Sequence, residues 1–111
     1  VKDAKILILG ITFKENCPDI RNTKVVDIYN VLREYTPNIT VCDPLANIEA
    51  VQHEYHITIT RECPVEQFDA IILAVAHKQF LSLDFTKLRK DVSVVYDVKS
   101  ILPRDMVDGR L

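Results

Sequence analysis

Lys14, Asp19 and Arg21 share one stretch of this chain, Gly10-Ile-Thr-Phe-Lys-Glu-Asn-Cys-Pro-Asp-Ile-Arg-Asn-Thr-Lys24. An ammonium and a guanidinium are the side chains that grip phosphate or carboxylate, the first as a compact charge, the second as a planar two-pronged donor. Asp19 has the reach to orient the guanidinium through an ion pair. The stretch follows a continuous apolar run, Ile6-Leu7-Ile8-Leu9, and precedes a helical pattern. Strand-to-helix connections ordinarily take about 2 to 6 residues, so folding alone does not explain a charged loop of this length. Open parallel sheets bind their ligands outside the carboxyl ends of the strands, which is where this loop begins.

The elements that must position the loop can be read from hydrophobic period. Ile6-Leu7-Ile8-Leu9 is apolar on both faces, as a strand buried between two helix layers requires. Val25, Ile28, Tyr29 and Leu32 recur at i, i+3, i+4 and i+7, one stripe of a helix that Asn22 or Thr23 can cap. Thr36-Pro37-Asn38 stops it. A second strand runs from Ile39 to Cys42 and ends at Asp43-Pro44, a weaker helical pattern holds Ile48, Val51 and Tyr55, and Ile57-Thr58-Ile59 is a third strand. Pro64 suits the first turn of a brief helix through Gln67. Ala70 to Val75 is a fourth strand, Phe80, Leu83 and Leu88 mark a last helical region, and Val92 to Tyr96 is a fifth strand. Strands alternating with helices imply βαβ units, and right-handed crossovers place helices on both faces of a parallel sheet. The fold class is α/β, a Rossmann-like three-layer sandwich of five or slightly more parallel strands.

Composition bounds the function. The chain has 111 residues, enough for one domain that buries roughly two-thirds of its unfolded surface. A net charge of -2 offers no basic field for nucleic acid. The apolar run Ala70–Ala76 is far short of the roughly 20 residues that span a bilayer, so no membrane partner is expected. Cys17, Cys42 and Cys63 are odd in number and widely spaced, which suits reduced thiols and a cytoplasmic setting better than a disulfide framework. His53, His56 and Cys63 match no zinc spacing, and no metal is expected. A start at Val1 and an end at Asp-Gly-Arg-Leu suggest a piece cut from a longer polypeptide.

A chain of this class invites the expectation of a dinucleotide site, yet that fingerprint needs three glycines at the first strand-to-helix turn. This chain holds two in all, Gly10 and Gly109. Phosphate recognition must therefore come from side chains, with Lys14 and Arg21 the cations available in the loop.

These residues resemble a known family. Gly10 through Lys24, with Phe13-Lys14 followed by Asp19-Ile20-Arg21-Asn22-Thr23, is similar to the opening of the C-terminal, nucleotide-sugar-binding domain of the UDP-glucose/GDP-mannose dehydrogenases. The likeness continues through Val41-Cys42-Asp43-Pro44, Phe68-Asp69-Ala70 and Asp97-Val98-Lys99, covering nearly the whole chain. In wording, Phe13 to Lys24 looks closest to bacterial enzymes that oxidise UDP-N-acetylhexosamines for surface polysaccharides.

The resemblance implies two successive NAD-dependent oxidations by a whole enzyme, converting the C6 hydroxyl of a UDP-sugar to a carboxylate through a cysteine-bound intermediate. It implies that the catalytic cysteine and the NAD fold belong to N-terminal and central dimerisation parts of a longer, homo-oligomeric chain. Residues 1–111 are then the domain that closes over the substrate nucleotide, with no catalytic residue and no activity of its own. Phe13 and Lys14 take substrate-contact positions, and Arg21 reaches toward NAD held by the other domain. Asp19 supports Arg21. Lys99 stands where several members carry arginine, keeping the charge but not the fork geometry. His77, just past the fourth strand, is expected to cap the following helix or to donate to substrate. Cys17 has no evident base, and Cys42 and Cys63 read as small core or helix-start residues. The competing expectations are a stand-alone flavodoxin-like module using Asp43 as an acidic-site residue, and a purely structural domain.

Overall fold

The computed structural model describes residues 4–13, 16–21, 23–64, 66–75, 77–83, 88–97 and 109–110, the strand segments 89–97 and 109–110 by their backbone only. Six parallel strands form one sheet: β1 (Ile6–Leu9), β2 (Ile39–Cys42), β3 (Ile59–Thr60), β4 (Phe68–Leu73), β5 (Arg89–Asp97) and β6 (Gly109–Arg110). Their order across the sheet is β3-β2-β1-β4-β5-β6. From β1 the chain steps outward to β2 and β3, then returns to lay β4 on the other side of β1. The crossovers thus change direction between β1 and β4, and such a switch point opens a crevice at the carboxyl ends of the two strands.

Alternation along β1 divides the core in two. Ile6 and Ile8 face one layer, where they pack with Val25 of helix α1 (Val25–Arg33) and Val51 of helix α2 (Ile48–Tyr55). Leu7 and Leu9 face the other, with Phe68, Ile71, Leu73 and Phe80, the last from a 3₁₀ helix at Lys78–Ser82. Period-2 alternation on a strand covered on both sides is the reason the run is apolar throughout. Helices on both faces of a parallel sheet make the sandwich that the sequence pattern implied.

Details differ from the sequence reading for local reasons. The packed stripe of α1 is Val25, Val26, Tyr29 and Leu32, with Val26 taking the inward position expected of Ile28. Thr23 supplies the start of α1: its Oγ1 accepts the Val25 N–H at 3.2 Å. Asn47 caps α2 by accepting the Ala50 N–H at 2.9 Å. Residues 63, 64, 66 and 67 are not helical, since four or five residues cannot offset the nucleation cost of a helix without packing behind them. β6 falls within the slightly larger sheet that was expected, but its place was not assigned, because Gly109-Arg110 has no apolar run to announce it.

Gly10 closes β1 in the left-handed region, at φ +96°. A Cβ built there would lie 2.6 Å from Val75 Cβ, so the end of β1 and the loop after β4 touch through bare backbone. Gly10→Ala is expected to cost roughly 2–5 kcal/mol, combining left-handed strain with overpacking against Val75. Urea unfolding measures it.

Candidate functional site

The described residues of the loop between Ile11 and Thr23 are pinned at the switch point by a buried polar cluster. Asp43, the first residue after β2, has no exposed surface. Its Oδ2 accepts the N–H of Ile11 at 2.7 Å and of Thr12 at 3.3 Å, while Oδ1 accepts the N–H of Leu45 at 2.8 Å and of Ala46 at 3.0 Å. One carboxylate thus stitches the loop after β1 to the turn after β2. A strand-ending Asp followed by Pro44 is placed to fold back on its own turn in this way.

His77 brings in the third strand end. The ring is fully buried, with Nε2 3.0 Å from Asp43 Oδ2 and 3.0 Å from Thr12 Oγ1. The N–H of Asn16 donates to Nδ1 at 2.9 Å. A ring nitrogen that accepts an N–H carries no proton, so the proton stands on Nε2 and is donated toward Asp43 and Thr12. Burial alone pushes the Asp43 carboxyl up. The hydrogen bond from His77 and those from the Ile11 and Leu45 amides outweigh it and hold the carboxyl below its ordinary value.

The far half of the loop is fixed as firmly. Asn16 takes a left-handed turn at φ +58°, a conformation asparagine tolerates, and its Oδ1 accepts the Lys78 N–H at 2.9 Å. The Phe13 N–H donates to the Asp19 carbonyl at 2.6 Å, and the Tyr55 hydroxyl at the end of α2 donates to the Ile20 carbonyl at 2.5 Å. Thr23 Oγ1 donates to the Thr12 carbonyl at 3.4 Å.

Among the described residues, Phe13 and Arg21 stand out from this platform. Phe13 is 54% exposed, unusual for a large aromatic. The Arg21 side chain is 85% exposed, and Asp19 holds its base: Oδ1 accepts the Arg21 N–H at 2.9 Å and Nε at 3.1 Å, and Oδ2 accepts Nη2 at 3.1 Å. Hydrogen bonding and charge from Asp19 raise the guanidinium pKa further, so Arg21 stays cationic throughout. A fixed cation and an exposed ring at the carboxyl edge suit an anionic ligand with a planar or apolar portion.

The sequence-derived candidates divide accordingly. Phe13, Asp19, Arg21 and His77 gather around one loop, whereas Lys14 and Lys99 lie outside the described residues. His77 precedes the 3₁₀ helix but makes no side-chain cap to it. The capping role is corrected: the ring turns inward because Asp43 and the Asn16 amide offer it partners on both nitrogens. Asp43 as the acidic-site residue of a flavodoxin-like module is also corrected, since both its oxygens are committed to amides and imidazole. The only earlier signal of its role was its place directly after a strand and before Pro44.

The UDP binding domain of the UDP-glucose/GDP-mannose dehydrogenase family matches residues 7–104. The chain belongs to this family. It is 43% identical to UDP-N-acetyl-D-glucosamine 6-dehydrogenase of Salmonella typhi and 46% identical to that of Pseudomonas aeruginosa, in each case over 100% of this chain and 27% of the relative. The chain therefore spans about a quarter of the length of the curated relatives it matches. Among solved structures, a UDP-glucose dehydrogenase from Pyrobaculum islandicum superposes with a TM-score of 0.76 at 25% identity, over 99% of this chain and 25% of that one. A UDP-D-ManNAc dehydrogenase from Pyrococcus horikoshii gives a TM-score of 0.72 at 22% identity, over 98% and 25%, and supports the fold. No helix among the described residues is long and apolar enough to cross a membrane.

Proposed function

We propose that this domain holds the nucleotide end of a UDP-sugar for an NAD-dependent 6-dehydrogenase, which takes the C6 hydroxyl of a UDP-N-acetylhexosamine to a carboxylate for surface polysaccharide. The observation that carries the reading is end-to-end similarity, at 43% and 46% identity, to two UDP-N-acetyl-D-glucosamine 6-dehydrogenases. The family match at residues 7–104 and the pinned, cation-bearing rim support it.

The turn after β1 does not fit a dinucleotide pyrophosphate. Gly10 is packed on Val75, and the next amides, of Ile11 and Thr12, are already spent on Asp43. NAD in this reading is therefore held mainly by another part of a longer chain, with Arg21 contributing from this rim. The chemistry NAD supplies when bound is acceptance of hydride from the sugar carbon. The residues here do the positioning. Phe13 covers the ligand, Lys14 and Lys99 neutralise diphosphate charge, and Asp19 aims Arg21 across the cleft. Asp43 and His77 keep the platform from sagging when those cations are loaded. Binding energy gathered at the diphosphate and base then aligns a distant sugar carbon with the catalytic cysteine and cofactor of the remaining domains. Soluble, cytoplasmic operation and assembly into a homo-oligomer complete the proposal.

The test is direct. The full-length polypeptide should produce NADH from UDP-N-acetylglucosamine, and residues 1–111 alone should produce none with any UDP-sugar. Turnover by the 111-residue chain overturns the division of labour, and a full-length protein inactive on every UDP-sugar overturns the function.

A further inference from the structure

Away from the loop, Cys42 at the end of β2 and Cys63 in the β3–β4 connection bring their sulfurs to 2.8 Å. Both thiols are free. A covalent sulfur–sulfur bond is about 2.05 Å, so closing the pair takes a movement of less than about 1 Å. The two sulfurs also differ in setting. Cys42 is buried among Leu7, Leu9 and Phe68, whereas Cys63 is half-buried at the edge of that cluster. A cavity of about 290 Å³, lined by both cysteines with Pro44, Arg61, Glu62 and Phe80, gives a small molecule a route to them.

We propose that Cys42 and Cys63 form a redox-active dithiol that a hydroperoxide entering the 290 Å³ cavity oxidises to a reversible intramolecular disulfide. Cys63 is the attacking sulfur. Its hydrogen bond from Cys42 lowers its pKa, while the same bond and burial raise that of Cys42. A thiolate is the nucleophile in this chemistry, and Cys63 is the less buried of the two sulfurs on the cavity wall. The Cys63 thiolate attacks the outer peroxide oxygen, the O–O bond breaks, and the departing alkoxide takes up a proton to leave as alcohol or water. The sulfenic acid formed on Cys63 is then attacked by the Cys42 sulfur. The S–O bond breaks, hydroxide leaves with the Cys42 proton as water, and the S–S bond closes. In all, two thiols lose two protons and two electrons, and one peroxide is reduced. A cellular thiol reverses the reaction by exchange.

The consequence would fall on the rim, because Cys42 is followed directly by Asp43, the anchor of the Ile11–Thr12 amides. The proposal does not depend on the identity of the sugar substrate.

Tryptic cleavage after Arg33, Arg61 and Lys78 puts Cys42 in peptide 34–61 and Cys63 in peptide 62–78, while Cys17 falls in peptide 15–21. The intact polypeptide should be treated with hydrogen peroxide, its remaining thiols trapped with N-ethylmaleimide, and the unreduced digest read by mass spectrometry. The expected product is peptide 34–61 joined to 62–78 with the loss of two hydrogens, abolished by dithiothreitol. Cys17→Ser should leave it unchanged and Cys63→Ser should eliminate it, leaving Cys42 slow to alkylate in the native protein. Cys63 recovered as sulfinic acid beside an unmodified Cys42, Cys63 joined to any other cysteine, or separate maleimide adducts on both would each overturn the proposal.

Discussion

Replacing Asp43 by alanine is expected to lower the unfolding free energy by about 3–5 kcal/mol, because several buried donors lose a charged acceptor at once. The loss would leave the amides of Ile11, Thr12, Leu45 and Ala46 without their acceptor in a largely buried site, and the Nε2–H of His77 with Thr12 Oγ1 alone. Each stranded donor costs its desolvation. A domain of this size holds about 5–15 kcal/mol in total, so the variant should be marginal at best. Urea unfolding followed by circular dichroism measures the effect. A loss under about 1 kcal/mol would mean that Asp43 is not the anchor described.

The same residue sets the acid limb. The folded-state carboxyl lies below the unfolded value of about 3.9, because the donors around it favour the charged form. A group depressed in the folded state stabilises above its unfolded pKa, and that stability is lost as pH falls through the folded value. Stability should therefore be level from neutrality to about pH 5 and fall below about pH 4. Asp43→Asn should be less stable at neutral pH and show a flatter fall in acid, a difference visible in paired urea titrations at pH 7 and pH 3.

The second large effect concerns the rim cations. In the full-length polypeptide, Lys14→Ala and Arg21→Ala are each expected to reduce kcat/KM for the UDP-sugar by roughly tenfold or more, since on the proposed function each removes a charge-assisted contact to phosphate. The readouts should differ in kind. Lys14, assigned to substrate, should weaken UDP affinity, whereas Arg21, assigned to the cofactor side, should raise the KM for NAD more than the Kd for UDP. Cys17→Ala should change either by no more than about twofold. Asp19→Ala should act as a milder Arg21 variant, because it frees a guanidinium now held from Nε, Nη2 and the backbone N–H. Equal behaviour of Lys14→Ala and Cys17→Ala would remove the role given to Lys14.

How much of this could be read from the chain depended on whether the signal was local. The apolar runs at Ile6–Leu9 and around Ala70 announced the two central strands, since strands buried on both faces must be apolar at every position. The alternation of elements then dictated a parallel sheet. β3 and β6 were shifted or missed because two-residue strands at or near the sheet edge are defined by pairing with β2 and β5, not by their own residues. At the site, the Asp19–Arg21 pair was legible from spacing, being two residues apart on one loop. His77 was legible as a rim residue but not as a buried one. Its environment is made by Asp43, 34 residues away, and Asn16, 61 residues away, and no window of sequence contains all three. The approach of Cys42 to Cys63 was hidden for the same reason, since the β2–β3 pairing creates it.

The central claim is that side-chain cations on a pinned loop, and not bare backbone, hold the diphosphate of a nucleotide at the switch point. It is tested most directly by titrating the isotope-labelled chain with UDP and, in parallel, with uridine, following backbone amides by NMR. Saturable shifts at Phe13, Asn16, Cys17 and Asp19 to Arg21 with UDP, and binding at least tenfold weaker with uridine, are the predicted result. Uridine binding as tightly as UDP, or UDP leaving those amides unmoved at millimolar concentration, would contradict it.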